Sequence, residues 1–434
     1  MREPMKIKHS YYFHFVEKAA ALLLLAYPVL MLTVKGGMNA MFLFMLLLAL
    51  AVWVVRPAGM SAVAWKPEWT AYVAAMFLLS FAILVSQMAH QNITAHPHDA
   101  ASRYWLAIPI FLLLQRLPLR VIGMLQYAFP LGAIGGLLMA TRESTGRWAI
   151  PTLEYANRLT IHTLDQIHFG DFELILGMLS LFSLNWLGRD IPALRLLKIL
   201  GCIAGVWASL ASGSRGGWLA IPLFIGLFFY FSMGKVSLKM IVSSLLVAAL
   251  AMTAGYFAVS TFHQRVNEVA HDVMTFDQGN RDTSAGVRWQ LYQAAADVFY
   301  RHPFAGVGPE GFASEMQPMK EAGKLTPNAS YLGRGEVHND ILAKAAGMGI
   351  LGLIAILAGY LVPLRLFWRA TQSGSDRVRR SGILGVVFVS GVFVFGLTVE
   401  FLNLTMATAF YSFTVAVLLA ACYNVHHGEP FAKP

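Results

Sequence analysis

Three polar side chains stand out in an otherwise apolar chain: Arg215, Arg288 and His338. Arg215 lies in Ser214-Arg215-Gly216-Gly217, a tight connection between two apolar stretches. The glycines allow close backbone approach, and a guanidinium there can give phosphate two parallel hydrogen bonds while staying charged. The ordinary alternative is an arginine that snorkels to the membrane surface. Arg288 falls in the opening turn of an expected helix. Thr283-Ser284 can cap it, and Val287, Leu291, Ala294, Ala295, Val298 and Phe299 recur at helical spacing. A helix start favours an anion, and a solvated Arg beside Asp282 is the plainer reading. Pro303 should end this helix by Arg301-His302. His338 opens His338-Asn339-Asp340, just before another apolar run in which Asn339 or Asp340 can cap the helix. Its imidazole suits proton transfer near neutrality. A lone interfacial His is often structural, and Glu336 and Asp340 are alternative bases or could orient the ring.

Other groups carry weaker signals. His302-Pro303 through Gly306 and Gly308, with Gly311, spells G-x-G-x-x-G, but no strand precedes it, so it reads as a shaped turn and not a dinucleotide site. His90, His96, His98 and Asp99 lack zinc spacing and read as an exposed polar loop. Asp165, His168, Asp171 and Glu173 crowd one end of a span and could support a site. Gly347, Gly349 and Gly352 fit close helix packing. Cys202 and Cys422 fall inside apolar stretches and read as packing residues. There is no Walker A loop and no paired-Asp motif for a metal–nucleotide sugar.

The elements that must position these residues are membrane helices. The chain has 434 residues, 57% hydrophobic and 13% charged, with a mean hydropathy of +0.58. Soluble domains carry about 25% charged residues, so a soluble enzyme, a disordered chain and a disulfide-stapled secreted domain are excluded. Apolar spans are expected near 17–34, 38–55, 71–89, 104–115, 119–140, 167–187, 193–212, 216–233, 238–261, 340–364, 381–402 and 405–423. The fold class is therefore an all-α polytopic membrane protein of about twelve helices, with one large, partly helical loop. It divides into a bundle over 1–261, the loop over 262–339 and a second bundle over 340–434. The first span shows no cleavage site and runs directly into a second, unlike a signal peptide.

Nineteen of the 33 Lys and Arg residues fall in segments on the N-terminal side of the membrane, and six in short loops opposite. The positive-inside rule then puts both termini in the cytoplasm and the loop outside. The formal charge of +10 is a topology signal. The loop itself is slightly acidic, which argues against nucleic acid.

This topology puts Arg215, Arg288 and His338 on one outer face. Two arginines and a histidine without a metal motif suit cleavage at a phosphate ester or anhydride, the arginines neutralising the leaving group and the His deprotonating an acceptor hydroxyl. A substrate reached from the bilayer would be lipid-linked. In these residues, and in His302-Pro303 with Gly306 and Gly308, the chain resembles the bacterial O-antigen ligases of the ligase/polymerase superfamily. The motifs cluster in 214–340 and mark the superfamily more sharply than the ligase. The resemblance implies metal-independent, cofactor-free, inverting transfer of O-antigen from undecaprenyl pyrophosphate to lipid A–core lipopolysaccharide. The setting would be the periplasmic face of a Gram-negative inner membrane. Arg215 and Arg288 would hold the pyrophosphate, and His338 would activate the acceptor. Arg265, Arg301, His302, Gly306, Gly308, Asn339 and Asp340 are candidate supports. An O-antigen polymerase or a protein O-oligosaccharyltransferase of the same superfamily would share the pattern. An anionic-solute transporter is the alternative from another class.

Overall fold

The computed structural model describes residues 3–55, 65–146, 159–233, 238–258, 263–264, 266–268 and 281–425. Among them the regular structure is helical throughout, without a strand. A bilayer demands this, because a helix satisfies its own backbone polar groups where no water can. The helices up to the large loop are α1 (Glu3–Thr33), α2 (Gly37–Val55), α3 (Pro67–Ala89), α4 (His96–Leu114), α5 (Leu119–Ile122) and α6 (Leu125–Thr145). They continue with α7 (Gln166–Phe182), α8 (Pro192–Ser212), the single turn α9 (Arg215–Trp218), α10 (Ala220–Met233) and α11 (Leu238–Ala258). The loop contributes α12 (Ser284–Arg301), α13 (Phe312–Glu321) and α14 (Pro327–Leu332). The chain then forms α15 (Asp340–Thr371), α16 (Asp376–Gly396), a 3-10 turn at Phe401–Asn403, and α17 (Thr405–Cys422).

Among the described residues nine helices are long and apolar enough to cross a membrane, fewer than the twelve expected. Each expected span has a helix, but three of those helices, α4, α7 and α11, are not among the nine. α7 has 17 residues, about 26 Å at 1.5 Å per residue against a core of about 30 Å. α4 begins at His96, well before the apolar run, because Pro97 and Asp99 suit a first helical turn. The loop expected around His96, His98 and Asp99 is therefore helix.

α17 is buried all round and forms the centre of the bundle. Its Tyr411 donates to the Gly359 carbonyl at 2.8 Å and meets Tyr104 and Tyr360 edge-on. α7 with α8, α15 with α16, α4 with α17, and α1 with α6 make the most extensive pairings around it. The loop has a separate core, where Val287, Leu291, Val298, Met316, Met319 and Ala329 interlock. Packing of this kind holds together the part of the connection over residues 281–339.

The turn 303–308 locks the loop to the bundle. α15 kinks at Gly349, whose φ is +65°. Into the kink fits the turn: Ile350 N–H donates to the Pro303 carbonyl at 2.7 Å, and Val307 N–H to the Ala346 carbonyl at 3.0 Å. Ser86 on α3 donates to the Ala305 carbonyl at 2.7 Å. A Cβ on Gly306, also left-handed at φ +65°, would stand 2.3 Å from the Gly347 carbonyl carbon. Gly306→Ala is therefore expected to cost roughly 2–4 kcal/mol, combining a left-handed alanine with a backbone clash. Gly308, with φ +95° and open space, should tolerate alanine better. Thermal unfolding of the detergent-purified variants checks this; equal melting temperatures would overturn it.

Candidate active site

Arg215 is placed by a sharp reversal. α8 ends on Gly213 in the left-handed conformation, and Arg215 opens the next turn. A Cβ on Gly216 would lie 2.1 Å from Thr398 Oγ1, and one on Gly217 2.2 Å from Asp171 Oδ1. Only glycine lets the turn press against the ends of α7 and α16. Ser214 Oγ donates to the same Asp171 Oδ1 at 2.8 Å. The mostly buried Arg215 guanidinium lies 3.8 Å from Glu268.

Arg288 sits in the opening turns of α12, which Thr283 caps by accepting from Gly286 N–H at 3.1 Å. Burial lowers the proton affinity of its guanidinium, Tyr292 works the other way, and Arg215 lowers it further. The two arginines are thus close enough to repel. Among the described residues no carboxylate is in ion-pair contact with Arg288. Two half-buried like charges are the arrangement an anion relieves.

His338 has a φ of +62°, which L-residues other than Gly rarely adopt. Its surroundings over-determine this strained geometry. Its carbonyl lies 3.0 Å from the Tyr292 hydroxyl, which also reaches the Leu397 carbonyl at 2.9 Å and shares one proton between them. On one side Val337 N–H donates to Glu400 Oε1 at 2.5 Å. On the other, Asn339 caps α15 by accepting from Ile341 and Leu342 N–H, both at 3.0 Å. Asp340 is fully buried and accepts from Tyr360 Oη at 2.8 Å and Leu402 N–H at 3.1 Å. Asn339 and Asp340 therefore position the His backbone, and Asp340 is not free to act as a base.

The His338 Nδ1 lies 2.5 Å from Glu336 Oε1, poorly aligned for a hydrogen bond but a close ion-pair contact. Burial alone would raise the Glu336 carboxyl. The His338 imidazole, and His168 beyond it, instead hold it below the usual glutamate range. Its ionised form thus stabilises the folded state above the ordinary value of about 4.3, and that contribution is lost as pH falls through the lower folded value. Wild type should lose melting temperature between roughly pH 5 and pH 3, and Glu336→Gln should lose less. Parallel pH–melting curves would contradict this.

Arg215, Arg288, His338, Glu336 and Tyr292 thus gather at one pole, with His168 and Asp171 within electrostatic reach. His168 stacks on Phe401, 5.8 Å between ring centres, and its Nδ1 lies 2.5 Å from Asp165. Glu173 points away, towards Gly136 on α6. Arg301 is not in the cluster. It sits thirteen residues along α12 from Arg288, about 20 Å away. There it is paired with Glu315 at 2.7 Å and Asp297 at 3.3 Å. His302 is exposed at the same far end. Gly306 and Gly308 act through the interlock with α15, and Arg265 lies outside the described residues. The three loop histidines have separate partners: His90 the Ser86 carbonyl, His96 Glu310, and His98 Gln87. Glu400 and Tyr292 are the site residues that sequence reasoning missed.

Fold and site define a polytopic helical membrane protein whose polar chemistry gathers at one end, two arginines beside a His–Glu pair. Residues 200–357, which include all three principal candidates, match a family model described as O-antigen ligase. Across 305 residues the chain is 25% identical to an uncharacterized protein of Haemophilus influenzae, covering 68% of this chain and 73% of that one. It is also 25% identical over 237 residues to the O-antigen ligase of Escherichia coli, covering 52% of this chain and 55% of that one. The family match over 200–357 and the likeness to the Escherichia coli protein support the O-antigen ligase superfamily.

Proposed function

We propose that the protein is an O-antigen ligase, transferring O-antigen polysaccharide from undecaprenyl pyrophosphate to the lipid A–core oligosaccharide. The observation that carries the reading is the mostly buried Arg215–Arg288 pair near Glu336, against which a backbone-strained His338 is held. The arginines bind the pyrophosphate and stabilise the charge that develops as it leaves. His338 takes the proton from the acceptor hydroxyl, and Glu336 stabilises the imidazolium that forms. The acceptor oxygen attacks the anomeric carbon opposite the pyrophosphate. The new C–O bond forms as the old one breaks, with inversion, and undecaprenyl pyrophosphate departs with the electron pair. The setting is the inner membrane of a Gram-negative cell, with the site in the periplasm and both termini in the cytoplasm.

The test is reconstitution of purified protein with lipid-linked O-antigen and rough lipopolysaccharide, products being read as a gel ladder. A ladder on lipopolysaccharide is expected, undiminished by excess chelator. Elongated glycan on the lipid carrier with unmodified lipopolysaccharide would instead mean a polymerase. Loss of activity in chelator would overturn the metal-independent mechanism.

A further inference from the structure

A cavity lies against residues 333–337, immediately before His338. Its volume is about 320 Å³, within the range of small-ligand sites. The starts of α4 and α13, the first turns of α15, the 333–337 segment and the 3-10 turn before α17 enclose it. Arg215, Arg288 and His338 do not line it, whereas Glu336 and Glu400 both do. Glu336 thus faces two ways, towards the cavity and onto His338 Nδ1 at 2.5 Å. Asp99 and Glu310 add two further acids to the wall, while Lys344 and Arg334 are its Lys and Arg members. A wall of four carboxylates against Lys344, Arg334 and His96 disfavours a pyrophosphate and offers dense hydrogen-bonding capacity to an uncharged polyol.

The geometry points to this cavity as the subsite for the acceptor saccharide, a neutral, hydroxyl-rich sugar that reaches His338 past Glu336 while the donor lies on the arginine side. The assignment rests on the ligase reading above. It separates the two substrates by charge: the phosphates are drawn to the cationic side, and the sugar hydroxyls are received on the acidic side. Glu336, which borders the cavity and contacts His338 Nδ1, links the sugar to the base, and the acceptor hydroxyl passes it to meet the ring nitrogen that Glu336 does not hold.

Two alanines on opposite walls, Ala100 on α4 and Ala313 on α13, give access to the cavity without touching Arg215, Arg288 or His338. Full-length Ala313→Trp and Ala100→Trp proteins are assayed with lipid-linked O-antigen and rough lipopolysaccharide. The acceptor KM should rise about tenfold or more, with donor KM held within about twofold. Glu310→Gln, an exposed and nearly isosteric change, is the second probe should the bulky variants unfold, and should raise acceptor KM about threefold. Unchanged acceptor KM in the folded variants, or a donor KM that rises in step, overturns the subsite and leaves the ligase reading intact. A wild-type protein that modifies no lipopolysaccharide overturns the ligase reading and the subsite with it.

Discussion

His338→Ala is expected to lower glycan transfer about 10²–10⁴-fold, the usual contribution of a positioned general base, with the lipid-pyrophosphate donor still bound. The position offers an unusually clean control. Because His338 has a φ of +62°, glycine can take its backbone conformation without steric cost. His338→Gly thus keeps the turn, the Asn339 cap and the Glu400 contact, and removes only the imidazole. If the residue served to shape the chain, glycine would be active. If it serves as the base, glycine and alanine are equally inactive, and glycine melts above alanine because alanine is strained at that φ. Near-wild-type transfer by His338→Gly would remove His338 from the chemistry and leave Glu336, 2.5 Å away, as the base to test next.

The second large effect is expected at the arginines. Lysine keeps the charge of Arg288 but cannot give two parallel hydrogen bonds to one phosphate group. Arg288→Lys should lower kcat/KM by about 10²–10³-fold, comparable to loss of a preorganised charge stabiliser. Arg215→Lys should be less severe, because Glu268 lies 3.8 Å from that guanidinium and part of its charge is already answered. The two losses should not add if, as proposed, both side chains act on one anion. A stability readout separates binding from folding. Arg215 and Arg288 repel each other without ligand, so Arg288→Gln should melt at or above the wild-type temperature while losing the stabilisation that added donor gives. Wild-type kinetics in both lysine variants would remove bidentate phosphate binding from the mechanism.

Much of this was legible in the residues, for identifiable reasons. Apolar runs must be helices in a bilayer, so the helix order followed from hydropathy, while the Thr283 and Asn339 caps followed from residue type at the helix starts. Hydropathy failed where a helix projects past the apolar zone. The first two turns of α4 are polar, and their helical character depends on Pro97 and Asp99 rather than on apolar periodicity. Glu400 was missed although a signal existed, a lone acid within Thr398-Val399-Glu400-Phe401-Leu402, where an ionisable group calls for a functional reason. Tyr292 could be read only as a packing residue, because its hydroxyl partners are carbonyls of His338 and Leu397, 46 and 105 positions away. Arg301 shows the opposite failure. It lies close to Arg288 in sequence, but a helix separates two such residues by its own length.

The interlock at Gly349 also determines how the machinery is mounted. Arg215 is fixed to the membrane bundle at the junction of α8 and α9, whereas Arg288 rides on the loop body, and that body is seated by the turn in the α15 kink. The proposed phosphate clamp would therefore be a vice with one jaw bolted to the bench and the other to a removable block. Its gap is a direct gauge of how the block is seated, so damage at Gly306 or Gly349, remote from any reacting atom, opens the jaws. Variants there should register first as weakened grip on the donor, before the bundle itself comes apart.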